Sequence, residues 1–196
     1  MTKERRAHVE RRTAETVIIT DLNLDGSGRA SVQTGIGMLD HLLTALTRHA
    51  RFDLTLRCDG DLHVDDHHTA EDSALALGQA LDEALGDRRG INRFGWAMAP
   101  LDEALARVAI DLSARPFADV HLGLTRDAIG ALSAENVPHI LRSLAVAGRL
   151  TLHADVLKGE NDHHRAEAVF KAVALALRQA VAPSGFDDVP STKERL

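Results

Sequence analysis

The stretch "DDHHTAED" at residues 65–72 is matched later in the chain by "NDHHRAEA" at residues 161–168. Both contain the pattern His-His-x-x-Glu, and equivalent positions, such as 67 and 163, lie 96 residues apart. Self-similarity at a fixed offset indicates an internally repeated architecture. The two stretches therefore predict a chain built from two similar halves.

The repeat extends on both sides of these clusters. A lone histidine precedes each one in an apolar helical stretch: His41 in "IGMLDHLLTALTRHA" and His139 in "ENVPHILRSLAVAG". A strand-like segment lies between histidine and cluster, "FDLTLRCDGDLHV" in one copy and "LTLHADVLKG" in the other, and an amphipathic helix follows. Further strand patterns, "VIITDLNLDGSG" and "ALARVAIDLSARPFADVHL", precede the first helix of each half.

Each half thus reads strand, strand, helix, strand, helix. This order predicts an α+β protein with an internal duplication and mixed sheets packed against helices. Chain breakers around residues 86–90 and at Pro100 indicate the joint. We assign residues 1–92 to the first half and 93–196 to the second, together forming one compact unit.

Composition limits the class of protein. Hydrophobic residues make up 44% of the 196 residues and charged residues 27%, which is typical of a globular protein. The net charge of −6 and the 3% of aromatic residues argue against nucleic acid and anionic membranes as partners. The single cysteine, a charged N-terminus and the lack of a 20-residue apolar run favour a soluble protein of the cytoplasm.

The cluster has the geometry of a metal-binding motif. On a helix, His67 and Glu71 lie on one face and can bind one ion together. His68 points roughly 100° away around the helix axis, so it is better placed to serve a second ion. The second copy repeats this arrangement with His163, Glu167 and His164.

We hypothesise two similar metal sites, each formed by three histidines and one glutamate drawn from both halves. The candidate ligands are His41, His67, His68, Glu71, His139, His163, His164 and Glu167. Imidazole nitrogen with one carboxylate suits Mn, Fe, Co, Ni or Zn better than Mg or Ca. Four neighbouring acids are expected to hold the free imidazole N–H groups. They are Asp65, Asp66, Asp72 and Asp162.

A single cluster of this kind is also explained by buried, hydrogen-bonded histidines or by a solvated helix start that an aspartate caps. Its duplication, with a lone histidine at nearly the same distance upstream, favours the metal sites over these structural explanations.

Several stretches together resemble the imidazoleglycerol-phosphate dehydratase family, in order and from about Arg6 to the C-terminus. They are "TGIGMLDHLL", "GDLHVDDHHTAED", "RFGWAMAPLDEAL", "IDLSARP", "GENDHHRAEAVFKAVALALR" and "PSTK". The resemblance implies the sixth step of histidine biosynthesis, in which D-erythro-imidazole-glycerol phosphate becomes imidazole-acetol phosphate and water. It also implies a duplicated α+β fold, two manganese ions per active site, and a 24-subunit assembly with active sites between subunits.

The resemblance further implies a mechanism and its residues. A metal on the ring nitrogen would stabilise imidazolate, which expels hydroxide to give a diazafulvene whose neighbouring C–H is acidic. Glu15 in "RRTAETVII" corresponds to the catalytic carboxylate, which also binds substrate. His49 is a candidate substrate contact, and a capping role near a helix C-terminus is the alternative for it. The phosphate-binding residues correspond to Arg93, Arg115, Lys171, Ser191 and Lys193. The chain departs from the family pattern at Glu194, where the family has glycine, and at "SARP".

Two other functions remain open on the residues alone. A dinuclear metallohydrolase would bind zinc and cleave phosphoesters without dehydration. A non-catalytic metal-binding assembly would bind metal and turn over no imidazole substrate.

Overall fold

The computed structural model describes residues 5–193, so Glu194 lies outside the described residues. The first half contains one four-stranded sheet and two helices. Its elements are β1 (Arg6–Arg12), β2 (Thr16–Asn23), β3 (Ala30–Gln33), α1 (Gly37–Ala50), β4 (Asp53–Gly60) and α2 (His67–Leu85). The strand order is β1-β2-β4-β3, in which β3 runs parallel to β4 and the other neighbours are antiparallel.

The second half repeats this arrangement. Its elements are β5 (Phe94–Leu101), β6 (Ala104–Asp111), β7 (Phe117–His121), a small hairpin of β8 (Ala128–Ile129) and β9 (Leu132–Ser133), α3 (Asn136–Ala147), β10 (Thr151–Lys158) and α4 (Asp162–Ala180). The strand order β5-β6-β10-β7 has the same directions as the first sheet. The α+β class, the duplication and the mixed sheets are therefore confirmed.

The strand count differs from the prediction of two strands before each first helix. Three strands precede α1, and five precede α3, of which β8 and β9 form the separate small hairpin. In the first half the quoted strand pattern covers β2 but neither β1 nor β3. Strand β1, "RAHVERR", buries only Val9, and no residue of β3 is fully buried. Both are edge strands of the sheet, so they lack the apolar alternation that marks a half-buried strand.

The helices of the two halves pack against one another between the sheets. Helices α1 and α2 contact the first sheet, while α3 and α4 contact the second. Across the middle, α1 packs against α4 and α2 packs against α3. The hydrophobic core fills these interfaces, and each helix pair brings together one helix from each half. None of the helices in the described range combines the length and apolar character needed to cross a membrane.

Gly95 permits the close approach of α4 to β5. A Cβ atom at this position would overlap the carbonyl oxygen of Ala176 on α4. We expect Gly95→Ala to destabilise the fold by about 1–3 kcal/mol, the usual cost of overpacking a core. Denaturant unfolding at one fixed protein concentration measures this loss.

Gly37→Ala is the matched control, because nothing lies within 4 Å of a Cβ at Gly37. Equal stability of the two variants would show that α4 can move away from β5 without lowering the free energy of unfolding.

Candidate metal centres and active site

The first cluster joins α1 to α4. His41 from α1 meets His163 and Glu167 from the first turns of α4. The Nε2 atoms of His41 and His163 lie 2.9 and 3.2 Å from the same Glu167 oxygen, Oε2. Two imidazole nitrogens and a carboxylate thus converge on one point, although the helices belong to different halves.

The second cluster joins α2 to α3 in the same way. His67 and Glu71 lie in the first turns of α2, and His139 comes from α3. Glu71 approaches His67 Nε2 at 3.7 Å and His139 Nε2 at 3.2 Å. In each cluster the potential ligand atoms lie within 4.8 Å of one another, close enough to share one ion.

The environment of the His139 side chain is the one expected of a metal ligand. Its Nε2 atom is shielded from solvent and has no hydrogen-bond partner among the described residues. Glu71 lies 3.2 Å away, but the contact lacks hydrogen-bond geometry, so it is only an electrostatic approach. A buried polar atom without a partner costs about 1–3 kcal/mol. A bound cation between His139 and Glu71 would remove this penalty.

His68 and His164 are turned away from both clusters. The Nδ1 atom of His68 lies 3.1 Å from Asp61, and its Nε2 lies 3.5 Å from Glu15. The Nδ1 atom of His164 lies 2.7 Å from Glu103. The divergence of adjacent residues on a helix thus places these two imidazoles at the ends of the neighbouring strands.

Two carboxylates beside the histidines, Glu167 and Glu103, are held in the charged form. Burial would raise the pKa of Glu167, but hydrogen bonds from Lys171 and His41, with their charges, outweigh it and lower the pKa to about 2. Backbone N–H groups and His164 likewise lower the pKa of Glu103 to about 2. Both groups therefore present negative charge throughout the physiological pH range.

The acids predicted to hold the imidazole N–H groups have other partners. Asp65 accepts a hydrogen bond from the backbone N–H of His67, and Asp66 accepts from Ser133. Asp72 binds Thr16 and Arg11. Asp162 accepts from the backbone N–H groups of Thr125 and Arg126. The prediction is wrong because these carboxylates join loops and strands to the helix starts.

Three other side chains contact the Nδ1 atoms instead, namely Asn136, Asp61 and Glu103. For Glu103 the repeat contained a signal. The β1–β2 hairpin pairs Arg6 with Asn23, and the equivalent β5–β6 hairpin pairs Phe94 with Asp111. Glu103 therefore occupies the position in the second hairpin that Glu15 occupies in the first.

Glu15 lies in the turn between β1 and β2. The turn is shaped by Thr13, whose hydroxyl accepts hydrogen bonds from the backbone N–H groups of Glu15 and Thr16. The Glu15 side chain is half exposed, and its Oε1 lies 3.5 Å from His68 Nε2. A carboxylate is therefore available beside a candidate ligand nitrogen.

The candidate phosphate contacts fall into two groups within one chain. Arg93 donates two hydrogen bonds to Asp111 and one to the carbonyl of Pro190, so it ties the C-terminal segment to the second sheet. Arg115, whose side chain is 66% exposed, lies 3.8 Å from the same Asp111. Ser191 follows Pro190 directly, and its hydroxyl accepts from the Lys193 backbone N–H.

Lys171 lies apart from that group, at the first metal cluster. Its Nζ is 2.8 Å from Glu167. His49, in the last turn of α1, is close enough that the charge of Lys171 adds to burial in lowering its pKa. Arg93 instead adjoins Ala180 at the end of α4, about 13 Å along the helix axis from Lys171.

A duplicated α+β fold with paired histidine–glutamate clusters defines a class of internally repeated proteins with two equivalent groups of side chains that could hold a cation. Within this class, the chain belongs to the imidazoleglycerol-phosphate dehydratase family, whose model matches residues 34–177.

Individual relatives agree with this assignment. An imidazoleglycerol-phosphate dehydratase of Candida glabrata is 55% identical over 205 residues, covering 95% of this chain and 98% of that protein. One of Phytophthora nicotianae is 56% identical over 96% of this chain, which spans 42% of that longer protein. The crystal structure of the Staphylococcus aureus enzyme superposes with a TM-score of 0.83 at 33% identity, covering 91% of this chain and 99% of that one.

The chain is therefore a dehydratase of histidine biosynthesis, a lyase that acts on a small phosphorylated substrate. This assignment excludes the hydrolase and metal-storage alternatives that the residues alone left open.

Proposed function

We propose that the chain dehydrates D-erythro-imidazole-glycerol phosphate with two manganese ions per active site. The active sites would lie between the subunits of a 24-subunit assembly in the cytoplasm. The observation that carries the proposal is the pair of clusters, each with two imidazole nitrogens and a glutamate oxygen within 4.8 Å. Nitrogen ligands with one carboxylate suit manganese and its transition-metal neighbours. When bound, manganese supplies a Lewis acid that polarises the imidazole ring of the substrate.

His68 and His164 support a site shared between subunits. Within the described chain each cluster has two of its three proposed histidines, and the third would come from a neighbouring subunit. Both remaining histidines are accessible for this, because their side chains are about 30% exposed. The outer face of β5 adds an apolar contact surface, with Phe94, Trp96 and Met98 each at least half exposed.

Glu15 would act as the base. The substrate loses its hydroxyl from the carbon next to the ring, and the proton must then leave the following carbon. The position of Glu15, 3.5 Å from His68 Nε2, places a proton acceptor beside a histidine that is proposed to hold the metal. Its half-exposed carboxylate has room to turn toward the substrate carbon and to pass the proton to water.

The phosphate dianion would meet a set of cationic and hydroxyl donors. Arg93 holds the C-terminal segment, which carries Ser191 and Lys193, through the carbonyl of Pro190, and Arg115 lies in the connection between β6 and β7 of the same half. Asp111 accepts two hydrogen bonds from Arg93 and so orients that guanidinium group, and it lies 3.8 Å from Arg115. Charge-assisted hydrogen bonds of this kind are the strong ones in phosphate recognition. Lys171, which lies with His49 at the first cluster, would contribute its charge to phosphate binding across a subunit interface, and His49 would contact the substrate beside it.

Arg115→Ala is expected to weaken binding of the phosphorylated substrate by about 1.5–3 kcal/mol, the scale of a hydrogen bond to a charged group. Binding of free imidazole, which has no phosphate, should hardly change. Arg107→Ala is the matched control, because this exposed arginine pairs with Asp155 on the same sheet. Equal losses for both ligands in the Arg115 variant would assign this arginine a structural role.

Removal of metal tests the proposal as a whole. A chelator at neutral pH should abolish dehydration and convert a large assembly into smaller species, because bridging metals contribute assembly energy. Added manganese should restore both, measured by light scattering and by formation of imidazole-acetol phosphate. A metal-free protein that keeps the full size of the assembly but loses activity would show that the metals act only in catalysis. Full activity without metal would contradict the proposed cofactor.

A further inference from the structure

The histidines of both clusters turn the same ring nitrogen toward the carboxylate. His41, His67, His139 and His163 all approach their glutamates through Nε2. On the opposite side of its ring, His67 places Nδ1 3.1 Å from the amide oxygen of Asn136. Nε2 therefore faces the carboxylate in all four cluster histidines, and in His67 a protein side chain contacts the ring at Nδ1.

His68 is held at Nδ1 by Asp61. Its Nδ1 lies 3.1 and 3.3 Å from the two oxygens of the Asp61 carboxylate, which is largely buried. The backbone around this aspartate is fixed as well, because its N–H donates to the carbonyl of Glu15 and its carbonyl accepts from Val64. The Asp61 carboxylate is therefore a rigid partner for the ring.

His164 is held at Nδ1 by Glu103. One Glu103 oxygen, Oε2, lies 2.7 Å from His164 Nδ1. The other oxygen accepts hydrogen bonds from the backbone N–H groups of Glu160 and Asn161, just before α4. Glu103 thus links the β5–β6 turn to the start of the helix that carries His164.

We infer that Asp61 and Glu103 are positioning residues that fix His68 and His164 by Nδ1, so that each offers Nε2 as a metal ligand. The inference rests on the proposed two-metal site. A neutral imidazole carries its proton on either nitrogen, and a carboxylate at Nδ1 selects the tautomer with a free lone pair on Nε2. The same contact orients the ring and strengthens it as a donor.

Glu103 and Glu15 occupy equivalent positions in the two halves but contact their histidines differently. Glu103 occupies the hairpin position equivalent to Glu15, but Glu15 lies near Nε2 of its histidine and Glu103 lies at Nδ1. Both oxygens of Glu103 are already engaged. The repeated turn therefore provides a reactive carboxylate in the first half and a fixed one in the second.

The test is a manganese titration of the intact, metal-stripped protein, followed by the electron paramagnetic resonance signal of free Mn²⁺. Asp61→Ala and Glu103→Ala should each weaken manganese binding by about 10–100-fold, the effect of losing an outer partner of a ligand histidine. Asp61→Asn and Glu103→Gln should show smaller losses, because a neutral carbonyl still accepts the Nδ1–H bond. Asp21→Ala is the matched control, since Asp21 makes the same contact with His8 Nδ1, at 2.7 Å, on the outer sheet. Its manganese affinity should equal that of the wild type.

Folded alanine variants that bind manganese as the wild type does would overturn the inference. If circular dichroism shows that an alanine variant does not fold, the Asn and Gln variants decide, and wild-type affinity in both of them overturns it. A His68→Ala variant separates this failure from that of the proposed function. If His68→Ala loses manganese while the Asp61 and Glu103 variants do not, only the positioning role is wrong. If the wild type binds no manganese, the proposed two-metal site fails and the inference fails with it.

Discussion

Replacing His67 with alanine is expected to remove manganese and nearly all dehydratase activity. The second cluster would keep only Glu71 and His139, and the buried Nε2 of His139 would lose the ion proposed to satisfy it. Because loss of an outer partner of a ligand already costs 10–100-fold, loss of a ligand should weaken manganese binding by more than about 100-fold. Elemental analysis of the purified variant and the initial rate of dehydration measure the two effects.

His121→Ala is the matched control for this experiment. His121 lies on β7 and pairs with Asp119, away from both clusters, so this variant should keep metal and activity. Unchanged manganese content in the His67 variant would contradict the assignment of this residue as a ligand. His163→Ala should behave like His67→Ala, because it occupies the equivalent position in the first cluster.

Glu15→Gln is expected to lower kcat by about 10²–10⁴-fold, the usual contribution of general acid–base catalysis. The amide is close in shape to the carboxylate but cannot take up the proton, so metal content and substrate binding should stay close to those of the wild type. Stopped assays for the product give kcat, and elemental analysis gives the metal content.

Glu10→Gln, on the neighbouring strand β1, removes an exposed carboxylate that lies beside His8 and should leave kcat unchanged. A decrease of less than about tenfold in the Glu15 variant would show that another group is the base. Loss of metal in that variant would instead indicate that Glu15 helps to hold the ion near His68.

The sequence predicted the duplication because the His-His-x-x-Glu pattern recurs at a constant offset along the chain. The spacing of His67 and Glu71 on a helix is a local property, so the sequence predicted that pair and its copy, and the divergence of His68. Edge strand β1 was missed because only Val9 among its residues is buried. Its partner β2, which alternates buried residues along its length, was recognised.

Contacts between distant residues lay beyond sequence reasoning. Asp66 and Asp162 stand next to the clustered histidines in the chain, but they contact Ser133 and Thr125. Asp61 and Asn136, which do contact the imidazoles, carry no local signal for that role. A carboxylate at a helix start has backbone N–H groups competing for it, and the fold decides which group it meets.

The exchange of helix partners between the halves has a consequence for the ancestry of the fold. Each cluster takes one histidine from one half and a histidine–glutamate pair from the other, through α1 with α4 and α2 with α3. A half-length ancestor with this geometry could not have formed a cluster alone and would have needed two copies arranged by twofold symmetry. Joining two such copies in one polypeptide makes that pairing covalent. It also frees equivalent positions to take different contacts, as Glu15 does at His68 Nε2 and Glu103 does at His164 Nδ1.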